Sequence, residues 1–548
     1  MVDTLVRSEQ DIDAGIAALS RRARTWLLAV ACMGVSLVIT SMIALNTALP
    51  DIAVETGATQ TQLTWVVDGY TLALACLLLP AGALGDRYGR RGALLIGLAI
   101  FTVSSIAPLI ASGPVELIVA RAVAGVGAAF VMPATLSLLT ATYPKAERNK
   151  AVGIWAGVAG SSAVVGFLGS GVLLHFWAWQ SIFWALAVAG AALFILTCTV
   201  ASSRDQQATP LDWPGSVLIG SAVAIFVFGV IEAPARGWTH PIVYGCMVAG
   251  VVMAIVFAFV ELRSTHPLLD MRLFAKPDFA VGAVGVTFFF LPNFGFFFVA
   301  MQYMQLVLGY SALHTALALA PLMVPVLVLS LATPWYLPRL GLRLSVTTGL
   351  LLIAIGLLCM HVLELDSPYF DLAWPLLIMS TGIGLCTAPT TSAIMGAVPD
   401  EKQGVASAVN DTTREVGAAL GIAVAGSILA AQYSHKLQPY LAALPESVHS
   451  PASNSLAEAL QVAERLGPQG RELAQVAQAA FLDAMQVSLT ALAILTVAAA
   501  AFVAVWAPGR DGRQHGFIVR LFSRRNELRG ATADHDDAGV RAAAGDRR

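Results

Sequence analysis

The stretch from Trp65 to Arg91, WVVDGYTLALACLLLPAGALGDRYGRR, decides the fold. Its apolar part is long enough to cross a bilayer, because a membrane-spanning helix needs about 20 apolar residues. One carboxylate, Asp68, stands near the start of the run, and the acid Asp86 followed by three arginines closes it. The pattern indicates a spanning helix that carries one embedded acid and ends in a charged loop at the membrane surface.

The composition of the whole chain agrees with this interpretation. The protein has 548 residues, of which 57% are hydrophobic and 12% charged, with a mean hydropathy of +0.74. Soluble domains carry about 25% charged residues, so these values indicate a membrane protein with many spans. The net charge of -2 and the dispersed basic residues exclude a nucleic-acid-binding protein. The six cysteines stand apart without metal-ligand spacing, so we expect no metal site.

The apolar runs predict fourteen membrane-spanning helices. We place them at 26–48, 63–84, 92–112, 115–140, 151–174, 181–201, 214–232, 240–260, 279–303, 312–334, 343–362, 372–396, 403–430 and 484–507. Lys and Arg concentrate on alternate short connections, which assigns those connections to the cytoplasm. An even number of spans then places both termini in the cytoplasm.

These spans divide the chain into five parts. They are a cytoplasmic tail (1–25), an amino-terminal six-helix bundle (26–201), a linker with two extra spans (202–278), a carboxy-terminal six-helix bundle (279–507) and a polar, disordered tail (508–548). A long outer loop at 432–482 contains Ser455 three residues before Glu458, which is a capping-box pattern. It predicts a short amphipathic helix, which we interpret as a packing element without a ligand role.

The charged loop recurs in the second half of the chain. Arg87, Gly89 and Arg91 have the same spacing as the basic-glycine-basic pattern of LPRLGLRLSV, in Arg339, Gly341 and Arg343. Two related halves with this loop on the same side are typical of the parallel repeats of secondary transporters.

The loop itself resembles a known signature. Gly82 to Arg91, GALGDRYGRR, is similar to the GxLxDRxGRR loop of the major facilitator superfamily. NTALPDIA at the end of the first span, ELIVARAVAGVGAAFVMPATLSLL in the fourth and ELRSTHPLLDMRLF after the eighth resemble that superfamily's fourteen-span drug/proton antiporter branch. WVVDGYTLA is similar to the branch's quaternary-ammonium efflux pumps.

The resemblance implies an all-α facilitator fold and a role for the loop. Two six-helix bundles with two extra central helices would move around a midplane cavity in the plasma membrane. In the family the loop acts as a latch that stabilises one arrangement of the bundles. We therefore expect a gating role for these loop residues: Gly82, Asp86, Arg87, Gly89, Arg90 and Arg91.

Two features depart from the branch. Ser41 stands where the first span often has an acid, so one proton carrier is missing. The fifth-span antiporter pattern GPxxGG reads GFLGSG from Gly166 to Gly171, with Phe167 in place of the proline. Glycines still permit close packing of this helix, and we assign that role to Gly153, Gly157, Gly166 and Gly171. The altered pattern leaves import open as an alternative to export.

Three ionisable residues are candidates for proton coupling. A charged Asp at mid-membrane costs about 2.5–3.5 kcal/mol, so Asp68 needs a wet or protein-lined site, where proton and cationic substrate could compete for it. Its alternative role is a cap or ion pair at the interface. Arg121 in the fourth span tunes Asp68 or a relay, or else bonds backbone carbonyls across helices. In the thirteenth span Glu415 is a second proton site, while Asp411 and Arg414 can neutralise one another on one helical face.

Aromatic and methionine side chains predict the substrate cavity. Flat rings attract lipophilic cations, and methionines provide an adaptable wall. The carboxy-terminal bundle begins with FFFLPNFGFFFVAMQYMQ, in a helix that we expect to line the cavity. The predicted cavity residues are Trp65, Tyr70, Phe294, Phe298, Met301 and Gln305.

Missing motifs narrow the function further. The chain has no GxxxxGK[ST] loop for ATP and no GxSxG or HExxH motif of an enzyme. We expect no cofactor, with the proton gradient as the energy source and lipophilic or cationic drugs as substrates. Two alternatives stay open, namely export of one specific metabolite or antibiotic and a non-transporting membrane scaffold or sensor.

Overall fold

The computed structural model describes residues 20–56, 58, 60–110, 113–200, 212–264, 267–399, 402–441, 452–453 and 455–509. The part of the chain within these limits is helical. The tail predicted at 508–548 lies almost entirely outside the described residues, as does most of the tail predicted at 1–25. Helix α1 begins at Arg21, inside that predicted tail.

Sixteen α-helices lie within the described residues. The amino-terminal half contains α1 (Arg21–Ala44), α2 (Leu49–Thr56), α3 (Gln60–Tyr88), α4 (Arg90–Ile106), α5 (Pro114–Thr142), α6 (Lys145–Phe176) and α7 (Gln180–Thr197). The extra helices are α8 (Trp213–Arg236) and α9 (Pro241–Arg263). The carboxy-terminal half contains α10 (Pro277–Gln302), α11 (Ala312–Leu319), α12 (Met323–Cys359), α13 (Tyr369–Gly396), α14 (Gln403–Leu441), α15 (Leu456–Leu466) and α16 (Arg471–Trp506).

Within the described ranges, thirteen helical stretches are long and apolar enough to cross a membrane. One of them, Leu313–Val362, has 50 residues, which is about 75 Å of helix against about 30 Å of hydrocarbon. Its helix α12 is broken at Gly341, where φ is 74° and ψ is 168°. The break falls between the predicted spans 312–334 and 343–362.

The predicted outer loop at 432–482 is too long. Helix α14 continues to Leu441 and α16 already begins at Arg471, so both helices extend beyond their predicted spans. At 39 residues, α14 is about 58 Å long, and its end therefore projects from the bilayer. The extensions persist because they bury a small apolar core with α15, formed by Tyr433, Leu437, Leu441, Leu456, Ala459, Ala463, Leu473, Ala477 and Phe481.

The predicted amphipathic helix is confirmed as α15. The hydroxyl of Ser455 accepts a hydrogen bond from the Glu458 amide at 3.2 Å, and Gly467 ends the helix with φ 59°. Its buried face packs on α16. The helix therefore has the packing role expected from its sequence.

The repeated loop has a structural counterpart in both halves. Gly89 and Gly341 both have positive φ, 116° and 74°, a conformation that glycine adopts without strain. Arg91 Nη2 donates to the Cys198 carbonyl at 2.7 Å, just beyond α7, and Arg343 Nε donates to the Ala507 carbonyl at 2.8 Å, just beyond α16. Each loop thus holds the end of the last helix of its own half.

The two halves meet along two seams. Helix α3 packs on α14, and α6 packs on α12 and α13. The extra helix α8 lies beside the first seam, where it contacts both α3 and α14. Helix α9 packs on α8 and leaves most of its surface exposed for lipid.

Glycines set the distance between α10 and α14, which gives a first test of the fold. A Cβ atom at Gly421 would lie 1.9 Å from the Leu291 carbonyl oxygen, so the backbones would have to separate. We expect Gly421→Ala to lower the free energy of unfolding by about 1–3 kcal/mol. Gly245→Ala on α9 is the control, because a Cβ atom there meets nothing within 4 Å. Thermal unfolding in detergent measures both, and equal midpoints would contradict the close packing.

Candidate functional site

The loop acid Asp86 joins the two halves of the molecule. Its Oδ1 accepts from Arg90 Nε at 2.8 Å and from the Gly404 amide at 2.9 Å, and its Oδ2 accepts from the Val405 amide at 3.1 Å. Those amides belong to the first turn of α14, where backbone N–H groups lack helical partners and favour a negative charge. We call this contact, formed by Asp86, Arg90, Gly404 and Val405, the latch.

Two glycines make the latch possible. A Cβ atom at Gly82 would lie 2.5 Å from the Gly404 carbonyl oxygen, and one at Gly404 would lie 2.5 Å from the Gly82 carbonyl oxygen. Asp86 and Arg90 are 6% and 3% exposed, so the ion pair is nearly dry. In the second half Pro338 stands at the position of Asp86 in the repeat. The acid of the latch thus belongs to the amino-terminal loop.

The other loop residues lie outside the latch. The Arg87 guanidinium lies 5.3 Å from the centroid of the neighbouring Tyr88 ring. Gly89 supplies the turn between α3 and α4, and Arg91 holds the end of α7. Their gating role stays a prediction.

The predicted packing glycines of α6 divide into two groups. Gly153 and Gly157 pack on α12 of the other half, with Cβ positions 2.4 Å from the Ser330 carbonyl oxygen and 3.1 Å from Ser330 Cβ. Gly166 lies against Thr40 of α1, and Gly171 lies against Leu313 of α11. The helix therefore keeps close approach along its length although Phe167 replaces the family's proline.

Asp68 lies on the face of α3 that also carries Asp86, eighteen residues or five helical turns further along. Its side chain is partly buried, and the charged group that acts on it is a second carboxylate, Glu232 of α8. Among the described residues, no side chain donates a hydrogen bond to the Asp68 carboxylate and no cation pairs with it. Trp65, one turn away, lies against Phe228 of α8, with ring centroids 5.9 Å apart.

Arg121 is buried in the amino-terminal half, at 1% exposure. Nε donates to the Val66 carbonyl at 3.2 Å and Nη1 donates to the Ser41 hydroxyl at 3.0 Å, while Cζ lies 4.2 Å from the Tyr70 ring centroid. These contacts are hydrogen bonds across helices, which was the alternative role predicted for Arg121. Its Nη2 atom is buried without a partner within the described part. Tuning of a proton relay by its charge stays a prediction.

The charged residues of α14 lie at the seam between the halves. Arg414 Nη2 lies 3.3 Å from Glu415 Oε1, whereas Arg414 Nη1 lies 4.0 Å from Asp411 Oδ1. The expected Asp411–Arg414 pair is therefore secondary to the Arg414–Glu415 pair. Arg414 also contacts Met132 of α5 at 3.9 Å, and both Arg414 and Glu415 are charged neighbours of Tyr70 of α3. This placement brings the α14 charges close to the Tyr70–Arg121 pair.

The predicted aromatic wall continues from this cluster. The Phe290 ring centroid lies 5.6 Å from Arg414 Cζ and 5.8 Å from the Phe294 ring centroid. Phe294, Phe298 and Met301 recur at helical spacing on the same face of α10 as Phe290, whereas Gln305 lies beyond α10 in the π-helical turn Tyr303–Val307. Phe298 is 38% exposed.

Tyr70 departs from its predicted role in the cavity wall. Its side chain has no exposed surface, and its hydroxyl donates to the Val38 carbonyl at 3.0 Å. The stacking of Arg121 on the ring explains this burial. Tyr70 therefore supports Arg121 in this conformation and does not line an open cavity.

Sequence reasoning missed the residues that face the predicted ones from other helices. The α14 amides at Gly404 and Val405 complete the latch, and Phe228 and Glu232 of α8 complete the surroundings of Asp68. Glu232 is embedded in an apolar run, where an acid is expensive. An acid in an apolar run could therefore have pointed to a functional role for Glu232. Its ion pair with Arg236, four residues further along the same helix, offers a local reason for its presence instead.

Comparison with known proteins identifies the class of fold. The Major Facilitator Superfamily model matches residues 30–422, and the chain belongs to this superfamily of transporters. The structure of the human organic anion transporter MFSD10 (TETRAN) has a TM-score of 0.58 at 14% identity, covering 88% of this chain and 99% of that one. This likeness shows an all-helical facilitator fold. The chain is therefore a multi-pass protein of the plasma membrane, as predicted.

The similar sequences are named for drug resistance and efflux. Multidrug resistance protein Stp of Mycobacterium tuberculosis (strain CDC 1551 / Oshkosh) is 33% identical over 496 residues, covering 88% of this chain and 92% of that protein. Multidrug efflux pump LfrA of Mycolicibacterium smegmatis is 31% identical over 485 residues, covering 88% and 96%. The predicted membership of a drug-exporting branch is confirmed at this level.

Proposed function

We propose that this chain exports lipophilic, cationic drugs or dyes across the plasma membrane in exchange for protons. The names of its relatives support drug export, and the superfamily supports coupling to a gradient. The observation that supports a cationic substrate is the position of Asp68, an embedded carboxylate that no cation of the described residues neutralises. A carboxylate in that position can bind a proton or a cationic substrate, and each would displace the other.

The surroundings of Asp68 favour a flat cation. Glu232, which is paired with Arg236, adds a second carboxylate, and the ring pair Trp65–Phe228 adds polarisable faces. A cation over an aromatic face gains about 0.5–2 kcal/mol. The substrate would therefore bind between α3 and the extra helix α8, with the α10 aromatic wall as a further contact surface.

Glu415 supplies a second proton site in this proposal. Its Oε1 pairs with Arg414, while its Oε2 is buried without a protein partner within the described part. Two carboxylates in different surroundings allow protonation of one to be linked to release from the other. Arg121, close to the same region, would bias the relay by its charge.

The latch would determine which side is open. The break of α12 at Gly341 supports fourteen spans, and fourteen spans with the basic loops inside place both termini in the cytoplasm. The latch then closes the cytoplasmic side, and its release would let the halves open there. This alternation gives Asp68 and Glu415 access to one side at a time.

Reconstituted vesicles test the proposal. We expect purified protein in liposomes to move an ethidium-like dye against its gradient when a pH gradient is imposed, and to stop when an ionophore collapses it. Dye movement that ignores the pH gradient would contradict proton antiport. Failure of any dye to move would contradict the function.

Export of one specific metabolite or antibiotic is the second candidate. A substrate panel in inverted vesicles separates it from multidrug export. We expect several unrelated lipophilic cations to compete with one another for transport. Transport restricted to one compound would instead favour the specific exporter.

A further inference from the structure

Helix α14 carries a continuous polar stripe between the latch and Glu415. Gln403, Ser407, Asp411 and Glu415 follow one another at intervals of four residues, so they form one face of the helix. None of them is more than 3% exposed. We call these four residues the α14 stripe.

Each turn of the stripe holds an oxygen that no described group satisfies. The atoms are Gln403 Oε1, Ser407 Oγ, Asp411 Oδ2 and Glu415 Oε2, joined by the neighbouring Asn410 Oδ1. Thr413, on another face of this helix, instead donates to the Val409 carbonyl at 2.9 Å, whereas the hydroxyl of Thr412 is buried without a partner among the described groups, as the stripe oxygens are. Buried polar groups without protein partners are normally hydrated. The stripe therefore has the chemistry of a water path.

The stripe also lies where the halves separate. On one side of it, Gly417 and Gly421 pack on α10 of the same half. On the other side, Gly404 and Ala408 pack against Gly82 of α3. Between these contacts Arg414 reaches Met132 of α5, so the intervening face points into the seam between the halves.

We propose that release of the latch hydrates the α14 stripe, which then carries the proton from Glu415 to the cytoplasm, with Asp411 and Ser407 as relay groups. The inference rests on the proposed proton antiport. The O–H bond of the Glu415 carboxyl breaks, and each water or hydroxyl along the stripe accepts one proton and passes on its own. The last proton joins bulk water, and Glu415 is left as a carboxylate beside Arg414. Tyr70, Arg121 and Asp411 are the other titratable or charged groups around it.

Ser407→Ala tests the relay, with Thr413→Ala as the matched control on a face of the same helix outside the stripe. Loss of a buried hydroxyl that has no partner should leave thermal stability unchanged. We expect Ser407→Ala to slow dye/proton exchange by at least about tenfold, because a positioned proton relay contributes about 10²–10⁴. Dye affinity should stay at its wild-type value. The rate should also fall further in D₂O than it does for wild type, since proton transfer becomes limiting.

The outcomes separate this inference from the proposed function. If Ser407→Ala and Thr413→Ala exchange protons at the same rate while wild type is active, the relay is wrong and antiport stands. If wild type exchanges no protons, the relay and the proposed proton antiport are both wrong. As a second measurement, Ser407→Cys in a background with the six native cysteines replaced should react with an impermeant maleimide from the cytoplasmic side faster when Asp86→Asn is added. Equal reactivity with and without Asp86→Asn would overturn hydration through the latch.

Discussion

Asp68→Asn is expected to abolish export driven by a pH gradient. Asparagine keeps the size of the side chain but can neither hold an exchangeable proton nor attract a cation by charge. We expect the initial rate of dye transport in proteoliposomes to fall by at least about 100-fold, the lower range for a lost proton-transfer group. The Asp68→Glu variant should retain part of the rate, because it keeps the carboxylate.

Asp483→Asn is the matched control for the same assay. Asp483 lies on the projecting part of α16 and pairs with Lys436 at 3.0 Å, and both side chains are 53% exposed. An exposed pair of this kind contributes about 0–1 kcal/mol, so transport should not change. If Asp68→Asn transported dye as well as wild type, Asp68 would not be the exchange site.

Asp86→Asn is expected to slow turnover while dye binding persists. The substitution removes the charge that accepts from Arg90 and from two α14 amides. Breaking a buried ion pair by removing one partner costs about 3–5 kcal/mol. Part of that energy stabilises the closed arrangement, so we expect turnover to fall by about 10–100-fold as the populations shift.

Two further variants isolate the latch in that experiment. Gly404→Val should have the same effect without a change of charge, because its Cβ would lie 2.5 Å from the Gly82 carbonyl oxygen. Glu147→Gln is the control in the first turn of α6, where Glu147 pairs with Arg24 at 3.5 Å and is 60% exposed. Binding is measured by dye fluorescence in detergent and turnover in vesicles. Equal losses of binding and turnover in Asp86→Asn would contradict a latch.

The spans and the charged loops could be predicted because their signals are local. An apolar run of about 20 residues and a cluster of arginines can each be recognised within a short stretch of sequence. The ends of α14 and α16 could not be predicted in this way, since their extensions are stabilised by packing on α15 rather than by lipid. Hydropathy alone does not distinguish those two environments.

The individual residues of the site could be predicted from the sequence, but the contacts between them could not. The latch joins Asp86 to a backbone amide 318 positions further along the chain, and backbone amides carry no sequence signature. The Asp411–Arg414 pair was expected because residues at i and i+3 share a helical face, and it is present at 4.0 Å. That spacing could not predict the closer approach of Arg414 to Glu415 on the same helix, or its contacts with Phe290 and Met132 on other helices. The neighbourhood of Asp68 depends on α8, an element that the six-helix repeat does not include.

Proton release on substrate binding is the most direct test of Asp68 as the exchange site. Purified protein in weakly buffered detergent solution is mixed with an ethidium-like cation, and a pH-sensitive dye reports the protons displaced. A role of Asp68 as the exchange site predicts that wild type releases protons on binding and that Asp68→Asn releases none, while the Asp483→Asn control behaves as wild type. Undiminished release from Asp68→Asn would contradict it.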